Sequence, residues 1–266
     1  MKKILLTSGC SMTATQRFYS PTWADHISKS TKMSLLNPST PGIGNHVIAT
    51  NCIEGVEKLL QDYHAEDIQV VLQWTGINRY DKIIKKNNNY YTTRPGSFLS
   101  DQSDLLVRVL STWRDNDFWR NHYSNQENEQ AFLETLENIL MCQFYLKEKN
   151  ISYKMFCAWD LFTHLDTSSR ISLELLNNSN QFTNDNYNNK SFDLIKDRSQ
   201  ITSFFWNLID WNNFWTFNDE QVKSGGMLQW IKKNVPKQDW FIKPQDYHPS
   251  HSAHQQFANF LIEEVL

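Results

Sequence analysis

A serine in a glycine-containing turn is the first residue of this sequence whose type and position suit chemistry. Ser11 ends the run Ser8-Gly9-Cys10-Ser11, directly after a short apolar segment. A hydroxyl on the turn between a strand and a helix projects from the sheet edge beside backbone N–H groups, so Ser11 is a candidate nucleophile. A serine shortly after a glycine is also common in turns that have no catalytic role. A catalytic interpretation of Ser11 therefore requires a general base and hydrogen-bond donors elsewhere in the chain.

A histidine near the carboxyl end is the second candidate group. In Asp246-Tyr247-His248-Pro249, residues 246 and 248 point the same way if the segment is extended. Asp246 can then accept the Nδ1–H of His248, which leaves Nε2 as a base. Pro249 suits the first turn of a following helix. His248 is therefore the candidate general base and Asp246 its orienting partner, although such a pair also occurs as a capping or surface feature.

Two glycine turns offer hydrogen-bond donors to a negatively charged oxygen. Gly42-Ile43-Gly44-Asn45 and Gly76-Ile77-Asn78 each follow a predicted strand. Backbone N–H groups and amide side chains are the donors that an oxyanion needs. Glycines in these turns also serve backbone geometry alone, and both interpretations stay open at this stage.

A metal site is not expected from the histidines or the cysteines. His251 and His254 follow His248 at intervals of three, but no carboxylate or cysteine at ligand spacing accompanies them. The four cysteines form no CxxC pair, and buried thiols are the simplest interpretation, with two disulfides left open. The cysteines are Cys10, Cys52, Cys142 and Cys157.

Short apolar strands alternate with amphipathic helices along the chain. Strands are predicted at 3–7, 32–37, 68–74, 151–158 and 239–243, and helical stripes at about 47–63, 128–148 and 251–265. This alternation is typical of βαβ units and a parallel sheet covered on both faces. We expect one α/β domain over residues 1–266, with insertions at about 79–125 and 159–220 that should contain helices of their own. Ligands of such sheets bind at the carboxyl ends of the strands.

The composition excludes several classes of partner. The chain has 266 residues, 40% hydrophobic and 21% charged, with a net charge of −3. This is an ordinary globular composition without the basic footprint of a nucleic-acid-binding protein. No stretch approaches the roughly 18 apolar residues of a membrane span. The apolar run Ile4-Leu5-Leu6 is too short for a signal peptide, so a cytoplasmic location is expected.

Taken in order, these motifs resemble the four blocks of the SGNH (GDSL-like) hydrolases, over the sheet framework but not the two insertions. The resemblance implies a three-layer α/β/α sandwich with an about five-stranded parallel sheet. It implies serine-dependent hydrolysis of esters, thioesters or carbohydrate acetyl groups. Ser11 would be the nucleophile, His248 the base and Asp246 its partner. The backbone N–H groups of Ser11 and Gly44 and the amide of Asn78 would form the oxyanion hole.

Three departures from the family pattern bear on activity. Cys10 replaces the aspartate of Gly-Asp-Ser, one residue separates Asp246 from His248 where many members have two, and Arg79 follows Asn78 where the family often has aspartate. The one-residue spacing resembles that of alginate acetyltransferase-like relatives. The overall style resembles members common in phage and marine viral sequences, which implies a viral source.

The expected function is ester hydrolysis through an acyl-enzyme, without a metal or organic cofactor. The expected partner is a small-molecule or glycan ester. Carbohydrate O-acetyl groups are one substrate class, because six of the ten tryptophans lie in or beside the insertions, where their rings either stack on sugars or form the insertions' own cores. They are Trp113, Trp119, Trp159, Trp206, Trp211 and Trp215. An O-acyltransferase with the same triad and a non-catalytic glycan-binding module remain alternatives.

Overall fold

The computed structural model describes residues 3–15, 21–77, 79–84, 89–93, 128–162, 198–219, 224–243 and 246–266. In chain order the strands are β1 (Ile4–Ser8), β2 (Ser34–Leu36), β3 (Ile68–Trp74), β4 (Tyr80–Ile84), β5 (Asn89–Thr93), β6 (Ser152–Cys157), β7 (Phe214–Trp215), β8 (Phe241–Lys243) and β9 (Asp246–Pro249). The α-helices are α1 (Trp23–Thr31), α2 (Asn45–Leu59), α3 (Asn128–Glu148), α4 (Gln200–Asn207), α5 (Met227–Asn234) and α6 (His251–Phe260).

Five strands form one parallel sheet in the order β2-β1-β3-β6-β7. Every residue of β1 is buried, and β3 is buried except at one position. Such near-continuous apolar strands belong to a sheet with both faces covered. The expected α/β class with a five-stranded parallel sheet is confirmed.

Alternate side chains of the strands enter two separate hydrophobic cores, as the pleat requires. Leu6 and Val70 pack in the core that contains the apolar faces of α2 and α3. Leu5 and Val71 pack in the other core, with α1, α5 and α6. The helices therefore lie on both faces of the sheet, and the arrangement is a three-layer α/β/α sandwich.

The fifth strand of the sheet is not the segment that the sequence predicts. Residues 239–243 were expected in this position, and that prediction is wrong. Residues 241–243 instead form an antiparallel ribbon with β9, and Phe214–Trp215 pairs in parallel with β6. Strand β7 has only two residues, which is too short for a periodic apolar pattern to reveal it in the sequence. The side chains of Trp240 and Phe241 are apolar because they pack against the hydrophobic core that contains α6, not because they belong to the main sheet.

Both predicted insertions contain regular structure where they are described. The first begins with the antiparallel hairpin β4–β5, although helices were expected there. The second ends with α4 and β7, so its last part belongs to the main sheet. Residues 94–125 and 163–197 of the two insertions lie outside the described residues.

The helix predictions agree with the structure in position but not in every detail. Helix α3 has the predicted bounds, yet not all its apolar residues are buried, since Phe144 is 52% exposed. The face that α3 buries includes Gln143 instead, which donates to the Leu208 carbonyl at 2.9 Å. No helix within the described residues is long and apolar enough to cross a membrane.

Helices α1 and α5 were not predicted as elements. The start of α1 is a capping arrangement in which the Thr22 backbone N–H donates to Asp25 at 2.7 Å. Each of these helices has only eight or nine residues, so it carries few repeats of the apolar pattern.

Candidate functional site

Ser11 lies in a tight turn shortly after β1, an inner strand of the sheet. The Cys10 carbonyl accepts hydrogen bonds from the backbone N–H groups of Thr13 and Ala14, at 2.9 and 3.0 Å. These two bonds wind residues 10–14 into one helical turn and place Ser11 near its start. Ser11 is 9% exposed, so its side chain is almost enclosed by the protein.

His248 reaches the same edge of the sheet from the other end of the chain. It stands on β9, and the following Ser250 caps helix α6 by accepting from the Ala253 N–H at 3.0 Å. The Ser250 N–H donates to the Trp240 carbonyl at 3.0 Å, and its hydroxyl donates to the Asp239 carbonyl. Three hydrogen bonds therefore fix the backbone directly after His248.

The structure brings Ser11 and His248 into direct contact. The distance from Ser11 Oγ to His248 Nε2 is 2.8 Å, although 237 positions separate the two residues in the chain. When Nε2 carries no proton, the serine hydroxyl donates to it, which is the geometry for proton transfer from a nucleophile to a general base. The two loops thus lie at one end of the sheet, as the sequence predicts.

The third expected member of this group, Asp246, is described only by its backbone. Asp246 begins β9 and pairs with Lys243 across the ribbon. Its side chain lies outside the described part of the structure, so its contact with His248 Nδ1 stays a prediction. In an extended segment, residues 246 and 248 face the same side.

The expected oxyanion donor Gly44 is already engaged. Its backbone N–H donates to Asp81 Oδ1 at 2.8 Å, and the Val47 N–H donates to Asp81 Oδ2 at 2.9 Å. The carboxylate of Asp81 therefore caps the N-terminus of α2, where orphan N–H groups and the helix dipole favour an anion. In this arrangement the Gly44 N–H points at Asp81, which corrects its expected role as a free donor.

Close packing explains why residue 44 is a glycine. A Cβ atom there would lie 2.7 Å from Asp81 Oδ2 and 2.7 Å from the Arg79 carbonyl oxygen. The loop after β3 and the start of β4 therefore press directly on the backbone of Gly44. The other expected donor, Asn78, lies outside the described residues.

Asn45, next to Gly44, has a structural role. Its side-chain oxygen accepts from the Thr75 N–H at 2.9 Å, and its amide donates to the Thr75 carbonyl at 3.0 Å. The same amide contacts the Thr135 hydroxyl at 3.1 Å. Asn45 therefore ties the start of α2 to the loop after β3.

The described tryptophans of the second insertion form part of the protein's own packing. Trp206 contacts the rings of Phe132, Phe162 and Trp211 at centroid distances of 5.9, 5.1 and 4.5 Å. Trp215 lies 5.7 Å from Phe257.

Trp159 packs against both hydrophobic cores and also lies beside the strand-end loops. The Arg79 guanidinium stacks over its ring at 5.5 Å. Trp113 and Trp119 lie outside the described residues.

His254 is excluded as the base by its environment. It is 1% exposed, and its Nδ1 accepts a hydrogen bond from the Trp23 backbone N–H at 3.2 Å. Burial, reinforced by the nearby His26, lowers the pKa of His254 to about 3. The ring is therefore neutral at pH 7, carries its proton on Nε2, and caps helix α1.

The cysteines are buried free thiols, as the simplest interpretation of the sequence expects. Burial raises the pKa of Cys142 and of Cys157 well above its usual value, so both stay protonated at neutral pH. Within the described residues, no group of three histidine, cysteine or acidic side chains is placed to hold a metal ion.

Two residues that contact the loops or helix starts around the site were not singled out from the sequence. Gln73 is a fully buried amide on β3 that contacts the Ser11 turn, and Asp81 caps α2. For Gln73, the sequence contains a visible signal, because a glutamine stands within the apolar run IQVVLQW. The sequence contains no comparable signal for Asp81, because its partner helix is 34 positions earlier in the chain.

No protein-family model matches the chain, and no curated protein matches it.

Proposed function

We propose that this protein is a serine-dependent ester hydrolase that works through an acyl-enzyme. The observation that carries the proposal is the 2.8 Å contact between Ser11 Oγ and His248 Nε2 at the carboxyl edge of a parallel sheet. In open α/β sheets this edge is where ligands bind. A serine paired with an imidazole is the arrangement that activates a hydroxyl for nucleophilic attack.

The proposed reaction has two halves. His248 Nε2 takes the proton of Ser11 as Oγ attacks the ester carbonyl, and the imidazolium then gives that proton to the leaving alcohol. Water attacks the resulting acyl-serine, with His248 again as base, and releases the acid and the free hydroxyl of Ser11. Asp246 holds the Nδ1–H of His248 and favours the charged ring that forms in each half.

The negative oxygen of each tetrahedral intermediate needs donors in place. The Ser11 N–H and the Asn78 amide are the two that the proposal uses, and each is expected to lower the barrier by roughly 2.7–4 kcal/mol. The Gly44 N–H joins them only if Asp81 releases it. Carbohydrate O-acetyl esters are the first substrate class to test.

The test compares wild type with Ser11→Ala on p-nitrophenyl acetate and on an acetylated glycan. Wild type should turn over, and Ser11→Ala should lose turnover by several orders of magnitude. Ser28→Ala is the matched control, because Ser28 also makes a side-chain hydrogen bond, to the Met33 carbonyl at 2.8 Å, but on α1.

A fluorophosphonate probe gives a second readout of the nucleophile. The probe should add to wild type once, on Ser11, and not to Ser11→Ala. Binding of the glycan without turnover or labelling would instead favour the non-catalytic module. Transfer of the acetyl group to an added alcohol in preference to water would favour the acyltransferase.

A further inference from the structure

A buried glutamine contacts the turn that carries Ser11. Gln73 lies on β3, and its side chain is fully buried among apolar neighbours. A buried amide without hydrogen bonds is costly, so its partners show what the position requires. Three side chains from two other parts of the chain supply these partners.

The oxygen of the Gln73 amide faces the serine turn. The Thr13 hydroxyl donates to Oε1 at 2.8 Å, and the Cys10 thiol donates to the same atom at 3.7 Å. Cys10 and Thr13 bracket Ser11 on both sides. One acceptor on the neighbouring strand therefore holds both ends of the segment that carries the hydroxyl.

Gly9 makes this arrangement sterically possible. A Cβ atom at residue 9 would lie 2.3 Å from Thr13 Oγ1 and 3.0 Å from Gln73 Cβ. The Thr13 side chain thus folds back over the bare Gly9 backbone to reach Gln73. Gly9 therefore leaves the space in which the hydrogen bond between Thr13 and Gln73 forms.

The nitrogen of the same amide points toward the layer that carries His248. Gln73 Nε2 donates to Met227 Sδ at 3.2 Å, at the first residue of α5. Met227 shares a hydrophobic core with Ala253 and Phe257 of α6. Helix α6 begins directly after the cap that follows His248. Gln73 therefore contacts both the serine turn and the helical layer behind the histidine.

We infer that Gln73 is a positioning residue that sets the place of Ser11 Oγ relative to His248 Nε2. This inference rests on the proposed function for its kinetic consequence. A displacement of a reacting group by about 1 Å can cost about 10²-fold in rate. We expect Gln73 to affect the rate of the reaction step and not the affinity for substrate, because its side chain is fully buried and does not face the exterior.

The kinetic test uses variants that keep the volume of the side chain and remove its hydrogen bonds. Gln73→Met and Thr13→Val should each lower kcat on p-nitrophenyl acetate by about 10–10²-fold with little change in KM. Thr13→Ser keeps the hydroxyl and should restore most of the rate. Gln143→Met is the matched control, since Gln143 is also a buried glutamine and bonds Leu208 and Asp210, which follow α4.

A measurement without substrate separates this inference from the proposed function. The ¹⁵N signals of His248 Nε2 report its hydrogen bond to Ser11. In Gln73→Met they should move toward those of Ser11→Ala, and in Gln143→Met they should stay at the wild-type position. Unmoved signals in a folded Gln73→Met protein would overturn the inference, whether or not wild type hydrolyses esters. An inactive wild type would instead overturn the proposed function alone.

If wild type hydrolyses esters, the kinetic constants of the variants also test the inference. If wild type shows turnover that depends on Ser11 and Gln73→Met keeps both kcat and KM, the positioning role is wrong and the esterase remains. Equal rate losses in Gln73→Met and Gln143→Met, at matched melting temperatures, would assign the effect to general destabilisation and also overturn the inference.

Discussion

Ser11 Oγ and His248 Nε2 lie 2.8 Å apart and come from opposite ends of the chain. The serine follows the first strand of the sheet, whereas the histidine precedes the last helix. The contact therefore exists only when β1 and the ribbon of β8 and β9 are both in place. Single substitutions test whether this contact is catalytic and what the other groups described above contribute.

Replacement of His248 by alanine should remove turnover, because no other described group contacts Ser11 Oγ as a base. We expect kcat to fall by about 10⁴–10⁶-fold, with a residual rate from the remaining groups. His251→Ala is the control, since His251 is an exposed residue at the first turn of α6. Steady-state kinetics at matched folded fraction check this, and an active His248→Ala protein would contradict the assignment.

Replacement of Asn78 by alanine should lower kcat on an ester by about 10²–10³-fold with little effect on the fold. The physical reason is the loss of one donor to the oxyanion, which forms only during the reaction. KM should therefore change much less than kcat. An unchanged kcat would mean that Asn78 is only a turn residue.

Replacement of Asp81 by alanine should destabilise the protein by about 1 kcal/mol. The carboxylate accepts from the N–H groups of Gly44 and Val47, and loss of a helix cap typically costs this amount. Urea unfolding with an unchanged m-value measures the loss. Glu54→Ala is the control, because Glu54 is an exposed residue of the same helix. Equal stability of the two variants would mean that the cap contributes nothing.

His254 should make the stability of the protein depend on pH between about 3 and 6.5. Its folded-state pKa of about 3 lies below the ordinary value of 6.5, so the unfolded chain binds the proton more tightly. The stability contribution of the neutral ring is fully present above pH 6.5 and is lost as the pH falls. The loss has a limiting slope of about 1.4 kcal/mol per pH unit.

The variant His254→Leu should show both the lost hydrogen bond and the lost pH dependence. Without Nδ1 the Trp23 N–H is left unpaired, which costs about 1–3 kcal/mol at pH 7. Denaturant unfolding of wild type and variant from pH 7 to pH 5 measures the difference, which should shrink as the pH falls. The lowered pKa of His26 adds a slope of the same sign to both proteins and cancels in the comparison.

The sequence by itself determined the class of the fold and the chemical types at the site. The strands 4–8, 68–74 and 152–157 are short runs rich in apolar residues, and α3 repeats its apolar residues over 21 positions. These signals are local, because burial on both faces of a sheet or on one face of a helix imposes its period on the chain itself. Ser11 and His248 could be named because Ser11 lies in a glycine-containing turn after a predicted strand, and His248 precedes Pro249 and a predicted helix.

Tertiary structure alone decided which of the candidate groups meet and which are already engaged. Phe214–Trp215 became the fifth strand, and residues 241–243 joined β9, because the packing surfaces of distant elements select the pairing. The engagement of Gly44 by Asp81, and of Ser11's neighbours by Gln73, depends on contacts across 37 and 60 or more positions. A hydrogen bond forms wherever folding brings a donor and an acceptor within about 3 Å, and that proximity leaves no local period in the sequence.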